Sequence, residues 1–187
     1  MPSGVFSTDD LVKAELDEWL PQPNLRVAHR RASTASPARL WQAAGEMRLD
    51  DTPVLGRLVR WRIPGLADGL RFEELLREPP FMVLAEHDRA LVSGLVGRIW
   101  TLRRDYPQLD GPEAFRAWSE SGTARVVLAT WVQEEDGHAV LHSEARVEAI
   151  GAQGRVGVAA VRPLVTGFQN LIGTEALRAA VRRAERD

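Results

Sequence analysis

The strongest constraint on the fold of this chain is Asp136-Gly137, a dipeptide between two runs of alternating apolar and polar residues. A two-residue hairpin turn of the primed type needs positive φ at its central positions, and Asp and Gly tolerate this well. Such a turn sets the register, with residue 135 opposite 138, 134 opposite 139, and so on outward. Arg125 then faces Glu148, and opposite charges in cross-strand positions favour this register. The sequence therefore predicts an antiparallel hairpin over residues 125–148.

The predicted hairpin has one apolar and one polar face, because successive side chains of a strand point to opposite sides. The apolar face pairs Val132 with Leu141, Thr130 with Ser143, Leu128 with Ala145, and Val126 with Val147. The opposite face carries His142, Glu144 and Arg146, and we interpret it as the solvated side of the sheet.

His138, His142 and Glu144 lie on that polar face and raise the question of a metal site. Along a strand, His138 and His142 are about 13 Å apart, which is too far for one ion to bridge. We therefore predict no metal site here, and we expect the protein to use neither a metal nor a cofactor.

The amino-acid composition argues against several classes of function. A formal charge of −2 and a pI near 6.1 argue against a dedicated nucleic-acid-binding protein. The chain has no cysteine, which excludes disulfides, thiolate catalysis and thiolate zinc sites. No segment has the apolar length of a signal peptide or a membrane span. We expect a cytoplasmic protein without integral membrane association and without a nucleic-acid partner.

The other elements follow from capping and periodicity signals. A helix is predicted over residues 7–20, and Pro21 and Pro23 end it. The break at these prolines predicts an N-terminal helical arm over residues 1–23 and a single domain over residues 24–187. Serine or threonine followed by proline predicts two further helix starts, at residues 36 and 52. The remaining predictions are strands at 25–34, 81–86, 91–96 and 98–102, and short helices at 72–77 and 113–118.

The last part of the chain predicts a long helix, since apolar residues recur at helical spacing from Val158 to Val181. Pro163 should kink this helix. The preceding "GAQGRVG" has GxxGxxG spacing, which differs from the dinucleotide-binding pattern, and no second parallel strand follows it. We interpret this segment as a flexible turn into the helix.

The chain resembles the START-like, Bet v 1-like (SRPBCC) superfamily, and most of all an uncharacterised bacterial branch described as polyketide cyclase/dehydrase-like. The resemblance covers about Asn24 to Glu185. It is carried by "SPARLWQAAGEM", "LVSGLVGRIW", "FRAWSESGTARVVLATWVQEEDGHAVLHSEARVEAI" and "RPLVTGFQNLIGTEALRAAVRRAE". It implies an α+β helix-grip fold, in which a curved antiparallel sheet wraps around a long, kinked C-terminal helix. It also implies an apolar cavity between sheet and helix, of the kind that holds lipids, polyketides or similar molecules.

The leading hypothesis is therefore a protein that binds a hydrophobic small molecule in an internal cavity. Apart from Thr130 and Ser143, the cavity-facing strand residues are apolar, as in many ligand sites. The two hydroxyls could also satisfy each other across the strands. The predicted wall consists of Val126, Leu128, Thr130, Val132, Leu141, Ser143, Ala145 and Val147, with Leu164 and Phe168 of the final helix facing them.

Two alternatives stay open at this point. A cyclase or hydratase would need an acid or base in the cavity, for which Glu86, His29 and Tyr106 are the candidates. A homodimer could instead form through Trp131, Val127 and Val140 if these residues make an exposed patch on the outer face.

Overall fold

The computed structural model describes residues 7–63, 65–101 and 106–186. Its strands form one antiparallel sheet with the order β1-β5-β4-β3-β2. The strands are β1 (Leu25–Ser33), β2 (Met82–His87), β3 (Ala90–Gly97), β4 (Thr123–Glu135) and β5 (His138–Ile150). The helices are α1 (Thr8–Trp19), α2 (Pro37–Gly45), α3 (Pro53–Arg62), α4 (Phe72–Arg77), α5 (Pro112–Ala117), α6 (Gly151–Leu171) and α7 (Leu177–Ala184). A 3₁₀ turn (Leu49–Asp51) precedes α3, and a π-helical segment (Ile172–Ala176) joins α6 to α7.

The central hairpin has the predicted register. Arg125 pairs with Glu148, Thr130 with Ser143, and Glu135 with His138. Asp136 and Gly137 have φ values of 49° and 76°, as a primed turn requires. The turn therefore fixes which face of both strands each side chain occupies, and the prediction for this hairpin is confirmed.

The inner face of the curved sheet packs against the C-terminal helical stretch, which runs without a break from α6 through the π segment into α7. Pro163 lies inside α6, where it cannot donate a backbone hydrogen bond to the preceding turn. Near α7 the core contains Leu40, Val132, Leu141, Leu177 and Val181. Near the start of α6 it contains Leu25, Val126, Val147 and Val158. This is the α+β helix-grip architecture that the sequence resemblance implied, and that prediction is confirmed.

The outer face of the sheet is covered by α1 and is not a solvated face, so that interpretation was wrong. Val12, Leu16 and Leu20 have no exposed surface, and they pack in one apolar cluster with Trp131 and Val127. The helix begins as predicted, since the Ser7 hydroxyl accepts a hydrogen bond from the Asp10 backbone N–H. Its apolar stripe needs a partner, and the outer face supplies one. Over β3, β4 and most of β5 both faces of the sheet are therefore buried, whereas Arg26, Ala28 and Arg30 of β1 stay exposed on the outer face.

Charged residues can occupy this covered face because they neutralise each other. Glu144 and Arg146 are 2% and 3% exposed. The Arg146 guanidinium donates to Glu144 Oε1 at 2.7 Å, to Asp17 Oδ1 at 2.6 Å and to the Leu20 carbonyl. Arg26 donates to Glu144 Oε2 at 2.9 Å. Two of these partners belong to α1 and the residue after it, so the ion pairs help to attach that helix to the sheet.

The patch proposed for a homodimer is buried within the chain. Trp131, Val127 and Val140 are 1%, 0% and 5% exposed. The indole of Trp131 stacks on His142, with ring centroids 4.8 Å apart and planes 9° from parallel. That patch is not available to a second copy, because it lies within the covered outer face.

Two local predictions were also wrong. Residues 98–101 form a turn instead of the strand predicted at 98–102, and Leu102 lies outside the described residues. The "GAQGRVG" segment is the first part of α6 and not a flexible turn. Its glycines allow close packing: a Cβ on Gly154 would lie 2.7 Å from the Thr123 carbonyl oxygen, and one on Gly157 would lie 2.4 Å from the Trp100 ring.

Within the described ranges, no helix is both long enough and apolar enough to cross a membrane.

Candidate functional site

A cavity of about 280 Å³ lies between the inner face of the sheet and the helices. Residues of β3, β4 and β5 form one wall, and Leu164, Val165, Phe168 and Gln169 of α6 form the facing wall. The third side comes from α2, α3 and α4, chiefly through Trp41, Leu58, Trp61 and Phe72. The lining is almost entirely apolar, which is the usual composition of a small-molecule site.

Nine of the ten residues predicted from the sequence lie on this cavity wall. They are Val126, Leu128, Thr130, Leu141, Ser143, Ala145, Val147, Leu164 and Phe168. Val132 does not: it is fully buried in the core cluster that also contains Leu40 and Leu177. At that end of β4 the space is filled by α2 and α7, so the apolar face of the hairpin extends beyond the cavity.

Sequence reasoning missed the cavity residues that come from outside the hairpin and α6. Leu91 and Leu95 of β3 pair with Thr130 and Val126 and therefore point into the cavity, whereas Val92 and Val96 pack under α1. Both faces of β3 are apolar because both are covered, so alternation alone could not assign them. The apolar positions of α2 to α4 were visible as helix stripes, but no local signal showed which surface they would cover.

Three polar side chains on the cavity wall, two of them buried and one half-buried, make no hydrogen bond to any residue that the structure describes. They are Thr130 and Ser143 on the sheet and Gln169 on α6. Gln169 is 4% exposed and Ser143 is 8% exposed. The two hydroxyls face each other across β4 and β5, as predicted, yet they do not hydrogen-bond to each other. Buried polar groups without a partner are uncommon and call for an explanation.

Charge is nearly absent from the part of the cavity lining that the structure describes. Among the described lining residues, Glu73 is the single charged one, and its carboxylate accepts a hydrogen bond from Arg77 at 2.8 Å. The same arginine binds Glu86 at 2.6 Å, on the surface of the protein. Hydrogen bonding to Arg77 lowers the pKa of Glu86 below its ordinary value, which suits a surface ion pair and not an internal acid.

The other two candidates for acid–base chemistry have different positions. Tyr106 lines the cavity. His29 lies on the inner face as the β1 partner of Ser143 and packs against Gly173, but it is not part of the cavity wall. Its Nε2 is buried without a hydrogen-bond partner among the described residues. Of the three candidates, Tyr106 is therefore the one on the wall.

The cavity reaches the surface between α3 and α6. Trp61 and Leu164 both line it, and yet they are 56% and 61% exposed. These two residues mark the entrance.

A curved antiparallel sheet, a long C-terminal helix and an apolar cavity between them define a helix-grip protein. No protein-family model matches the chain, and no curated protein sequence does.

Several solved structures are similar to it. Hypothetical protein jhp0584 from Helicobacter pylori is 12% identical, with 91% of this chain and 94% of that chain covered and a TM-score of 0.41. Ara h 8.0201 is 12% identical, with 82% and 98% covered and a TM-score of 0.37. The di-domain ARO/CYC BexL from the BE-7585A biosynthetic pathway is 15% identical over 96% of this chain and 58% of that chain, with a TM-score of 0.38. Because all three TM-scores are low, the fold assignment rests on the element order and sheet topology described above.

Proposed function

We propose that the protein binds a hydrophobic small molecule, such as a lipid or a polyketide, in the cavity between the sheet and α6. The observation that carries this proposal is the cavity itself: about 280 Å³ of space between the sheet and the helices, with an apolar lining. Natural protein interiors contain few voids larger than a water molecule. A volume of this size is close to the lower end of small-molecule sites, which begin at about 300 Å³.

The energetics support the same proposal. Each Å² of apolar ligand surface removed from water contributes about 25 cal/mol, from which the entropy of association must be subtracted. Trp61 and Leu164 at the entrance offer apolar contact to a ligand as it passes between solvent and cavity. Catalysis has less support, since Tyr106 alone of the three acid–base candidates lines the cavity, while Glu86 lies on the surface and His29 is not on the cavity wall.

Titration with Nile red, a neutral dye whose emission reports an apolar environment, tests the proposal. We expect the wild-type protein to bind the dye and the variant Ser143→Trp to bind it at least about tenfold more weakly, a loss of about 1.4 kcal/mol. The new indole would project from β5 into the cavity and fill part of it. The matched control is His138→Trp, which adds the same side chain to an exposed position of the same strand.

Circular dichroism and urea unfolding must show that both variants are folded. If folded Ser143→Trp binds Nile red as well as the wild type does, the ligand site lies elsewhere. If Ser143→Trp does not fold, Ala145→Phe places a smaller ring on the same wall and takes its place in the test.

A further inference from the structure

Gln169 is the most unusual residue of the cavity wall. It lies on α6, it is 4% exposed, and its side-chain amide has no hydrogen-bond partner among the residues described. Burying an amide without a partner is unfavourable. An apolar side chain at this position would avoid that cost, so the amide is explained if a ligand supplies the partner.

Gln169 lines the same cavity as the other two unpartnered groups. Gly173 follows Gln169 by four residues, about one helical turn, and packs directly against His29. His29 is the β1 partner of Ser143, and Ser143 in turn faces Thr130 across the hairpin. An amide on the helix wall and two hydroxyls on the sheet wall thus line one cavity.

These three groups share one chemical property, since each can both donate and accept a hydrogen bond and none carries a charge. Around them, the described lining residues offer no cation, and the carboxylate of Glu73 is already bound to Arg77. Among these described residues, an ionised carboxylate or phosphate would lose its water without gaining a counter-charge, which is strongly unfavourable. A hydroxyl, carbonyl or amide would instead find matching partners.

We propose that the ligand is an electrically neutral, mainly apolar molecule with a hydroxyl, carbonyl or amide group that Gln169, Thr130 and Ser143 recognise. This inference rests on the proposed function and adds the chemical class of the ligand. The apolar lining binds the body of the molecule, and the three polar side chains orient its polar end.

A competition experiment compares decanol with decanoate, which have the same chain length and differ in the charge of the head group. Each compound is titrated against the Nile red complex of the whole chain at about pH 8, where the carboxylate is ionised. We expect decanol to compete at least about tenfold more tightly than decanoate. The variant Gln169→Leu should reduce this preference, whereas Asn170→Leu, an exposed neighbour on the same helix, should leave it unchanged.

The outcomes separate the two proposals. If Nile red does not bind the wild type in the cavity, the proposed function fails. If Nile red binds but decanoate competes as well as or better than decanol, or decanol does not compete, the proposed function stands and the neutral-ligand inference is overturned. If folded Gln169→Leu keeps the full preference, Gln169 is not the recognising group and the inference is overturned as well.

Discussion

At the scale of single residues, His142 shows how burial changes the chemistry of a side chain on the outer face. The residue is 8% exposed, with its ring stacked on Trp131 under α1. Burial lowers the pKa of His142 below its ordinary value, and the nearby carboxylates of Glu135 and Asp9 oppose this shift without reversing it. His142 is therefore neutral in the folded protein under conditions in which an exposed histidine would take up a proton.

This shift predicts a loss of stability in acid. Below about pH 6.5, the ordinary histidine pKa, the unfolded chain binds a proton at His142 that the folded chain excludes. The free energy of unfolding therefore falls as the pH falls from that value toward the lowered pKa. His142→Phe keeps a ring against Trp131 and removes the titration. We expect wild-type protein to lose more stability than His142→Phe between about pH 7 and pH 5, as measured by urea unfolding at each pH. Parallel pH profiles for the two proteins would show that the shift does not contribute.

The charged residues of β5 mark where prediction from the sequence reached its limit. Glu144 and Arg146 alternate with apolar residues, and this pattern is typical of a strand with one face in water. They are buried because Arg26 and Asp17, more than a hundred residues away in the chain, complete the ion pairs. Alternation identifies a polar face, but long-range pairing decides whether that face meets water.

At the scale of elements, the glycines of α6 differ in what surrounds them, although the sequence presents them alike. A Cβ atom added to Gly157 would lie 2.4 Å from carbons of the Trp100 ring. A Cβ atom added to Gly167 would have no neighbouring atom within 4 Å. Glycine in a helix interior costs about 0.5–1 kcal/mol relative to alanine. The same substitution therefore has opposite consequences at the two positions.

We expect Gly167→Ala to raise the free energy of unfolding by about 0.5–1 kcal/mol. Gly157→Ala should lower it by about 1–3 kcal/mol, since the Trp100 ring must move. Urea unfolding of the two variants beside the wild type measures both changes. Equal effects of the two substitutions would show that helix propensity alone, and not contact with Trp100, sets the cost at Gly157.

The hairpin and the start of α6 show why some elements were predictable and others were not. Asp136-Gly137 fixed the register of β4 and β5 through local backbone geometry, and with it the sheet wall of the cavity. The "GAQGRVG" segment has low helix propensity, so its local signal favours a turn. In the structure it is helical, and its glycines pack closely against Thr123 and Trp100. Those contacts, like the α2 to α4 side of the cavity, depend on tertiary structure that no short stretch encodes.

At the scale of the whole molecule, the sheet separates two apolar regions with different packing. On the inner face, α6 leaves a cavity of about 280 Å³. On the outer face, α1 packs closely against β3 and β4, and Val12, Leu16, Val127 and Val92 are all fully buried. A firmly covered outer face can hold the sheet in its curved shape while the inner face stays partly open.

This arrangement predicts that α1 is required for the stability of the whole protein and is not an accessory arm. A chain that lacks residues 1–20 would expose Trp131, Val127 and Val92, and Arg146 would lose both Asp17 and the Leu20 carbonyl. Each large apolar side chain of α1 that no longer packs costs about 1.5–3 kcal/mol. We expect the truncated chain to unfold at a lower urea concentration and to self-associate in sedimentation experiments. We also expect it to bind Nile red on the newly exposed outer face, so that Ser143→Trp no longer weakens dye binding. A peptide of residues 7–20 added in excess should reverse these changes if the lost contacts are their cause. A monomeric truncated chain with the wild-type midpoint would instead show that the sheet and the C-terminal helix fold independently of α1.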